Sequence, residues 1–343
     1  MKSISAVAVA AAVLCCVAPV RAAETPPYRV VARYTPGGEG GWDYLTVDAA
    51  GRRLFVTRGT HVQVLGLADG RLVGEIQDTP GVHGVALAPD LGRGFTSNGR
   101  DSSVTIFDLR TLAPLGRVHL HASHPDAILY EPVSHRVLTM NAGSDDATVI
   151  DAASGAIVGN LALGGRPEFA VHDGHGRVFV NLEDSSAVVG IDPVRMAVVS
   201  RWPLAPGEEP SGLAIDREHR RLFSVCGNRK MIVLDADRGK VLADLPIGSR
   251  VDGAAYDPGT ATAFASNGEG TLTLVHEDGR DRFRVVGNIE TQRGARTLAV
   301  DLETHRVYEA TASYGPAPAP SADNPRPRPP MVPGSFVVLV IDR

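Results

Sequence analysis

One short pattern recurs seven times along the chain, and its spacing limits the fold more than any other feature. It reads Arg53-Leu-Phe-Val-Thr-Arg58, Arg93-Gly-Phe-Thr-Ser-Asn98, Arg136-Val-Leu-Thr-Met-Asn141, Arg177-Val-Phe-Val-Asn181, Arg221-Leu-Phe-Ser-Val-Cys226, Thr262-Ala-Phe-Ala-Ser-Asn267 and Arg306-Val-Tyr-Glu-Ala-Thr311. The first residues stand 40, 43, 41, 44, 41 and 44 apart. A period near ~42 with short alternating strands belongs to four-stranded propeller blades, whereas ankyrin and tetratricopeptide units are shorter and helical. No 3.6-residue apolar periodicity runs through the units. The expected fold is an all-β, seven-bladed propeller of four-stranded blades.

Each unit carries four strand signals. In the first, Tyr44–Val47 is the inner strand a, Leu54–Thr57 is b, His61–Leu67 is c and Leu72–Ile76 is the outer strand d. An Asp-to-Gly turn joins c to d at Asp69-Gly70, and recurs as Asp151 to Gly155 and Asp235 to Gly239. With Gly 37 and Pro 24 among 343 residues, turns are frequent enough for such a fold. The last unit lacks an outer strand, while Tyr28–Tyr34 belongs to no unit. That segment is expected to pair with the final strand, close the ring and cover an edge that would otherwise template aggregation.

The N-terminus reads as an export signal. Lys2 precedes an uncharged apolar run from Ala6 to Val20, too short to span a bilayer, and small residues follow at Ala22 and Ala23. Residues 1–22 are assigned to a cleaved signal peptide and 23–343 to one propeller domain, so the mature protein is expected in the periplasm or outside the cell. Cys15 and Cys16 lie in a poor lipobox context. Cleavage removes them and leaves Cys226 alone, which excludes an internal disulfide. Loss of Lys2 and Arg21 takes the formal charge from -5 to -7. That balance, with 5% aromatic residues, disfavours nucleic acid, including single strands.

The Tyr-Val-Thr-Asn strand end seen as Phe-Thr-Ser-Asn98, Val-Leu-Thr-Met-Asn141, Phe-Val-Asn181 and Phe-Ala-Ser-Asn267 resembles the YVTN-repeat, YncE-like propeller family. The resemblance covers nearly the whole mature chain. It implies an exported bacterial seven-bladed propeller and no particular activity. Arg58, Cys226 and Thr311 depart from the family's Asn.

In a propeller the residues leading into each strand a and those ending each strand b converge at one mouth of the channel. Counting ten residues back from each repeat gives Asp43, His83, Asp126, Ser211, Asp252 and Arg296; a turn one residue shorter in unit four gives Glu168. The strand-end set is Arg58, Asn98, Asn141, Asn181, Cys226, Asn267 and Thr311. Carboxylates with amide carbonyls suit hard divalent cations, and His83 extends this to transition metals, so Asp43, Asp126, Glu168, Asp252 and His83 are the metal candidates. The competing expectation is that these side chains anchor their own turns. His124 opens unit three and His83 unit two, one blade away; either could act as a general base oriented by a carboxylate of the neighbouring blade, the competing expectation being a solvated loop histidine. Trp42 is placed either to stack on a ligand or to pack under a loop. Glu183, Asp184, Glu208 and Glu209 deepen the negative charge of the mouth.

Other features are weighed the same way. His119, His121 and His124 have a metal-like spacing on an outer strand. His172 and His175 should fall on the opposite face. Ser211 lacks a nucleophile elbow, and Cys226 is expected to be a buried apolar residue. Residues 315–335 carry eight prolines and form an insert in the last blade, emerging at the mouth as a lid, a docking segment for a partner, or a plain surface loop. Two functions remain open: a binding or scaffold module for a small molecule or protein, expected to be a monomer, and a metal-assisted hydrolase or lyase of the lactonase-like propeller kind, the latter by fold analogy.

Overall fold

The computed structural model describes residues 28–319, 321, 327 and 329–343. The proposed signal peptide and part of the Pro-rich insert lie outside the described residues.

Seven antiparallel four-stranded sheets form the blades. Blade one runs Leu45–Asp48, Arg53–Thr57, Val62–Gly66 and Leu72–Ile76 from strand a to strand d. The repeat pattern falls on strand b throughout: Arg93–Asn98, Arg136–Asn141, Val178–Leu182, Arg221–Cys226, Thr262–Asn267 and Arg306–Thr311 in blades two to seven. These strands are almost wholly buried, because each sheet is covered on both faces by its neighbours. The aromatic at the third position shows the reason for the pattern. Phe55, Phe95, Phe179, Phe223 and Phe264 are fully buried between blades, each supplying about 1.5–3 kcal/mol of hydrophobic stabilisation. Outer strands such as Pro114–His119 are mostly exposed and alternate less strictly.

Blade seven takes its outer strand from the other end of the chain. Arg29–Tyr34 pairs antiparallel with Val337–Asp342, from Arg29 opposite Asp342 to Tyr34 opposite Val338. The buried Tyr34 hydroxyl donates to the Leu67 carbonyl at 2.9 Å, tying this closing strand to blade one. The ring therefore closes as the unpaired Tyr28–Tyr34 segment required.

Turn chemistry follows the sequence. Asp151 Oδ1 accepts from the Ser154 amide, and Asp235 Oδ1 accepts from the Asp237 and Arg238 amides. Gly155 and Gly239 close these turns at φ 76° and 66°, a backbone region that side chains with Cβ resist. On the face opposite the mouth, the turns from a to b are capped by buried acids in six blades: Asp48, Glu131, Asp173, Asp216, Asp257 and Asp301 each accept an amide of their own turn. No helix among the described residues is long and apolar enough to cross a membrane.

Candidate ligand site at the channel mouth

The inner strands approach closely at the channel, and this sets how the mouth is built. A small residue follows the lead-in position in His83-Gly84, Asp126-Ala127, Ser211-Gly212 and Asp252-Gly253. A Cβ on Gly212 would lie 2.5 Å from the Ala254 nitrogen and 2.6 Å from the Asp252 carbonyl oxygen, so only glycine fits there. The backbone of the lead-in residues is tied across blades. The Asp43 carbonyl accepts from Thr297 at 2.7 Å, that of Asp126 from Ser97, and that of Arg296 from Ser266.

With the backbone held, the charged lead-in side chains gather into one network. His83 Nδ1 lies 2.6 Å from Asp43 Oδ2 and 3.7 Å from Asp126 Oδ1. Arg296 reaches Asp252 at 3.3 Å and Asp43 at 3.8 Å. Glu168 faces Arg166 at 3.5 Å, and Arg166 also pairs with Glu183 at 2.9 Å. Glu168, Asp126, Asp43 and Asp252 are only 12, 15, 17 and 22% exposed. Among the described residues, none of these four carboxylates accepts a backbone amide; turn anchoring is done instead by the acids of the opposite face.

Below this network an aromatic pair reaches across the channel. Tyr44 of blade one and Phe169 of blade four meet with ring centroids 5.2 Å apart. Neither was singled out from sequence, because their contact spans four blades and leaves no local signal. Beside this pair, a basin of about 1140 Å³ spreads over blades four to seven, lined by Trp42, Glu168, Ser211, Asp252, Arg296 and Tyr314 among others. Arg250 and Arg293 add positive charge along its blade-six and blade-seven side.

Burial and like charge shift the mouth acids strongly. Burial, reinforced by the charges of Asp126, Glu183 and Asp252, pushes Glu168 up to about 8. Asp252 rises to about 7, again chiefly through burial, with Arg296 opposing and Asp43, Asp126 and Glu183 adding. Asp126 is raised by burial against the pull of His83. For His83, burial lowers the pKa, but the Asp43 hydrogen bond and the charges of Asp126 and Asp43 outweigh it, and the net shift is upward. The mouth therefore holds ionisable protons near neutral pH, a condition that marks sites able to exchange a proton for a cation.

The strand-end residues correct the expectation of a second ring at the mouth. Asn98, Asn141, Asn181 and Asn267 are fully buried. Asn98 donates to Ser103 and Thr105, Asn141 to Asp146 and Thr148, and Asn267 to Thr271 and Thr273, all on the adjoining turn and strand c. Asn181 donates to the Ser211 and Gly212 carbonyls of the next blade. Each amide nitrogen donates inside the fold because a small hydroxyl, a carboxylate or a carbonyl waits within reach, while Asn267 Oδ1 is left without a partner. Arg58 is likewise buried: it donates to the carbonyls of Gly37, Gly38 and Gly40 and lies 3.7 Å over the Phe336 ring. It anchors the segment leading to the first blade. Thr311 donates to the Arg293 carbonyl, and Cys226 is buried with its thiol pushed up to about 12 by desolvation.

The remaining candidates fall as follows. His124 is exposed and meets His83 edge-on at 5.1 Å between ring centroids. Trp42 packs against Phe336 at 5.4 Å and Tyr314 at 6.3 Å, under the base of the Pro-rich insert, while still bordering the basin. The two ends of that insert meet through Gly315 donating to Pro330 and Val332 donating to Ser313. Ser211 Oγ contacts only the Val251 carbonyl at 3.4 Å. His119 and His121 belong to neither of the two groups of three metal-capable side chains found among the described residues. His172 sits on the far face against Arg217, where burial lowers its pKa to about 4.

No protein-family model and no curated protein matches the sequence. Solved structures share the architecture. Hydrazine synthase from Kuenenia stuttgartiensis is similar with a TM-score of 0.69 at 17% identity, over 80% of this chain and 93% of that one. The WD40 repeats of RRP9 are similar with a TM-score of 0.75 at 11% identity, over 92% and 97%. At such identities the likeness is one of fold. The chain is a β-propeller, a scaffold commonly used for binding.

Proposed function

We propose that the chain is an exported, monomeric, YncE-like propeller that binds a small cationic ligand in the basin at its channel mouth. One observation carries this reading: four part-buried carboxylates, none spent on a backbone turn, gather at the mouth, and two of them, Glu168 and Asp252, line the basin. Low-dielectric walls strengthen the attraction of such a cluster for positive charge. Arg250, Arg293 and Arg296 along the other side of the basin favour a ligand that also carries an anionic or polar end. Gly315 and Pro329 of the insert border the basin, and the insert would cover that ligand or dock a partner protein. The test is native mass spectrometry of the untagged mature protein, purified without chelators. An adduct of one ligand per chain, lost in Glu168→Gln/Asp252→Asn, supports the reading.

A second reading has its own support. Asp43, His83 and Asp126 present ligand atoms within 4.8 Å of one another, as a divalent metal requires. With an ion held there, Glu168, another part-buried carboxyl of the mouth, would be the general acid or base for hydrolysis or elimination. Elemental analysis followed by a screen of lactones and esters tests it. Metal-dependent turnover that Asp126→Asn abolishes would favour the enzyme; absence of turnover in the metal-loaded protein would leave binding alone.

A further inference from the structure

The opposite face carries a second cluster that the mouth does not involve. Each of the other five turn-capping acids meets at most one charged or imidazole side chain, as Asp257 does with His305 at 2.9 Å. Asp216 differs. His219, three residues on in the same turn, places Nδ1 2.6 Å from Asp216 Oδ2, and Glu277 at the end of strand c in blade six places Oε1 3.6 Å from that nitrogen. All three ligand atoms lie within 4.8 Å of one another.

The protein atoms leave this cluster incomplete. The Glu277 side chain is only 2% exposed, and its Oε1 is buried with no hydrogen-bond partner, while Oε2 accepts from the Tyr256 hydroxyl at 3.0 Å. The Asp216 carboxylate is fixed by the Glu218 and His219 amides at 3.0 and 3.2 Å. An unpaired buried carboxylate oxygen is costly, and here it points at the one imidazole of the cluster.

We propose that Asp216, His219 and Glu277 bind one divalent transition-metal ion, zinc or manganese, which staples blade five to blade six on the face opposite the mouth. One imidazole nitrogen with two carboxylates suits these ions better than calcium, which prefers an all-oxygen shell. Ligand atoms around a four-coordinate zinc lie about 3.4 Å apart, so the His219–Glu277 separation already fits. The Asp216–His219 hydrogen bond must open by under about 1 Å as Nδ1 gives its proton to solvent and its lone pair to the metal. His219 is 42% exposed, which supplies both the freedom to move and an approach for the ion with its remaining water ligands. Tyr256 orients Glu277 from behind, as outer-shell hydrogen bonds do in metal sites.

The experiment uses mature protein in which the mouth group is disabled by Asp43→Asn/Asp126→Asn, so that a failure there is separate from a failure here. Zinc and manganese are titrated with native mass spectrometry and thermal unfolding as readouts, calcium and magnesium serving as controls. The expected result is one saturable zinc per chain, a Tm raised by a few degrees, and a cobalt absorption band on substitution. His219→Ala, at a half-exposed position that leaves folding intact, should weaken zinc by more than about 100-fold, beyond an outer-shell effect; Glu277→Gln should do the same where it folds. Zinc binding unchanged in His219→Ala, or no saturable zinc in the mouth-disabled protein, overturns the proposal.

Discussion

Tyr44, at the threshold of the first blade, touches Phe169 of the fourth across the channel, with 5.2 Å between ring centroids. This contact ties the inner strand of the first blade to that of the fourth, beside the charged lead-in residues Asp43 and Glu168. Phe169→Ala should cost about 2–3 kcal/mol, somewhat less than truncation of a fully buried Phe. Chemical denaturation measures the effect. Tyr44→Phe keeps the ring but removes the hydroxyl bond that lowers the Asp126 pKa, so the Asp126 titration followed by carboxyl NMR should move upward.

The mouth should respond to pH with a definite sign. Glu168 near 8 and Asp252 near 7 are raised above their unfolded values. Acids shifted upward stabilise the fold most below their unfolded pKa, near ~4, and that contribution is lost as pH rises through the folded values. Stability should therefore fall from about pH 4 to about pH 8 and level off above it, and Glu168→Gln should flatten the decline. Affinity for a cation at the mouth should move the other way, tightening as the same carboxylates ionise, with protons released on binding below pH 8. Calorimetric titrations in buffers of different ionisation enthalpy read that release.

Glu309 is a second pH-sensitive point, inside blade seven. It is fully buried, with neither oxygen in a normal hydrogen bond although the Thr291 hydroxyl stands nearby, and burial raises its pKa well above the carboxylate range. The equivalent positions in blades two and three hold Thr96 and Thr139, each bonded to the strand-end Asn. Glu309→Met should stabilise the protein by about 1–3 kcal/mol at neutral pH by removing an unpaired polar group, and by more at pH 9. A midpoint shift in urea at both pH values decides it.

Ring closure should dominate stability. Truncation through residue 35 removes the Arg29–Tyr34 strand, exposes the edge of Val337–Asp342 and breaks the Tyr34–Leu67 bond. The truncated chain should melt many degrees lower and aggregate through the bared edge. A Tm equal to that of the intact mature protein would refute closure as the source of stability.

The blades were legible in the sequence because each repeats a local rule. The buried Phe of strand b, the Asp that caps the turn from c to d, and the Gly at positive φ all act within one unit. The lead-in positions were legible for the same reason, since a count of ten residues holds wherever the first hairpin keeps its length. What local spacing misses is contact between units. Tyr44 and Phe169 are 125 residues apart in the chain, and Glu277 joins Asp216 and His219 from the neighbouring blade. The strand-end Asn residues misled for a related reason. Their position is right, but Ser103, Thr105, Thr148, Thr271 and Thr273 stand within reach and draw the amides inward.

The central claim is that the mouth carboxylates hold a ligand, and native mass spectrometry of the untagged mature protein tests it most directly. The account predicts one adduct per chain, lost in Glu168→Gln/Asp252→Asn while that variant still unfolds cooperatively. A bare-chain mass for the wild type, or an adduct indifferent to both substitutions, would contradict it.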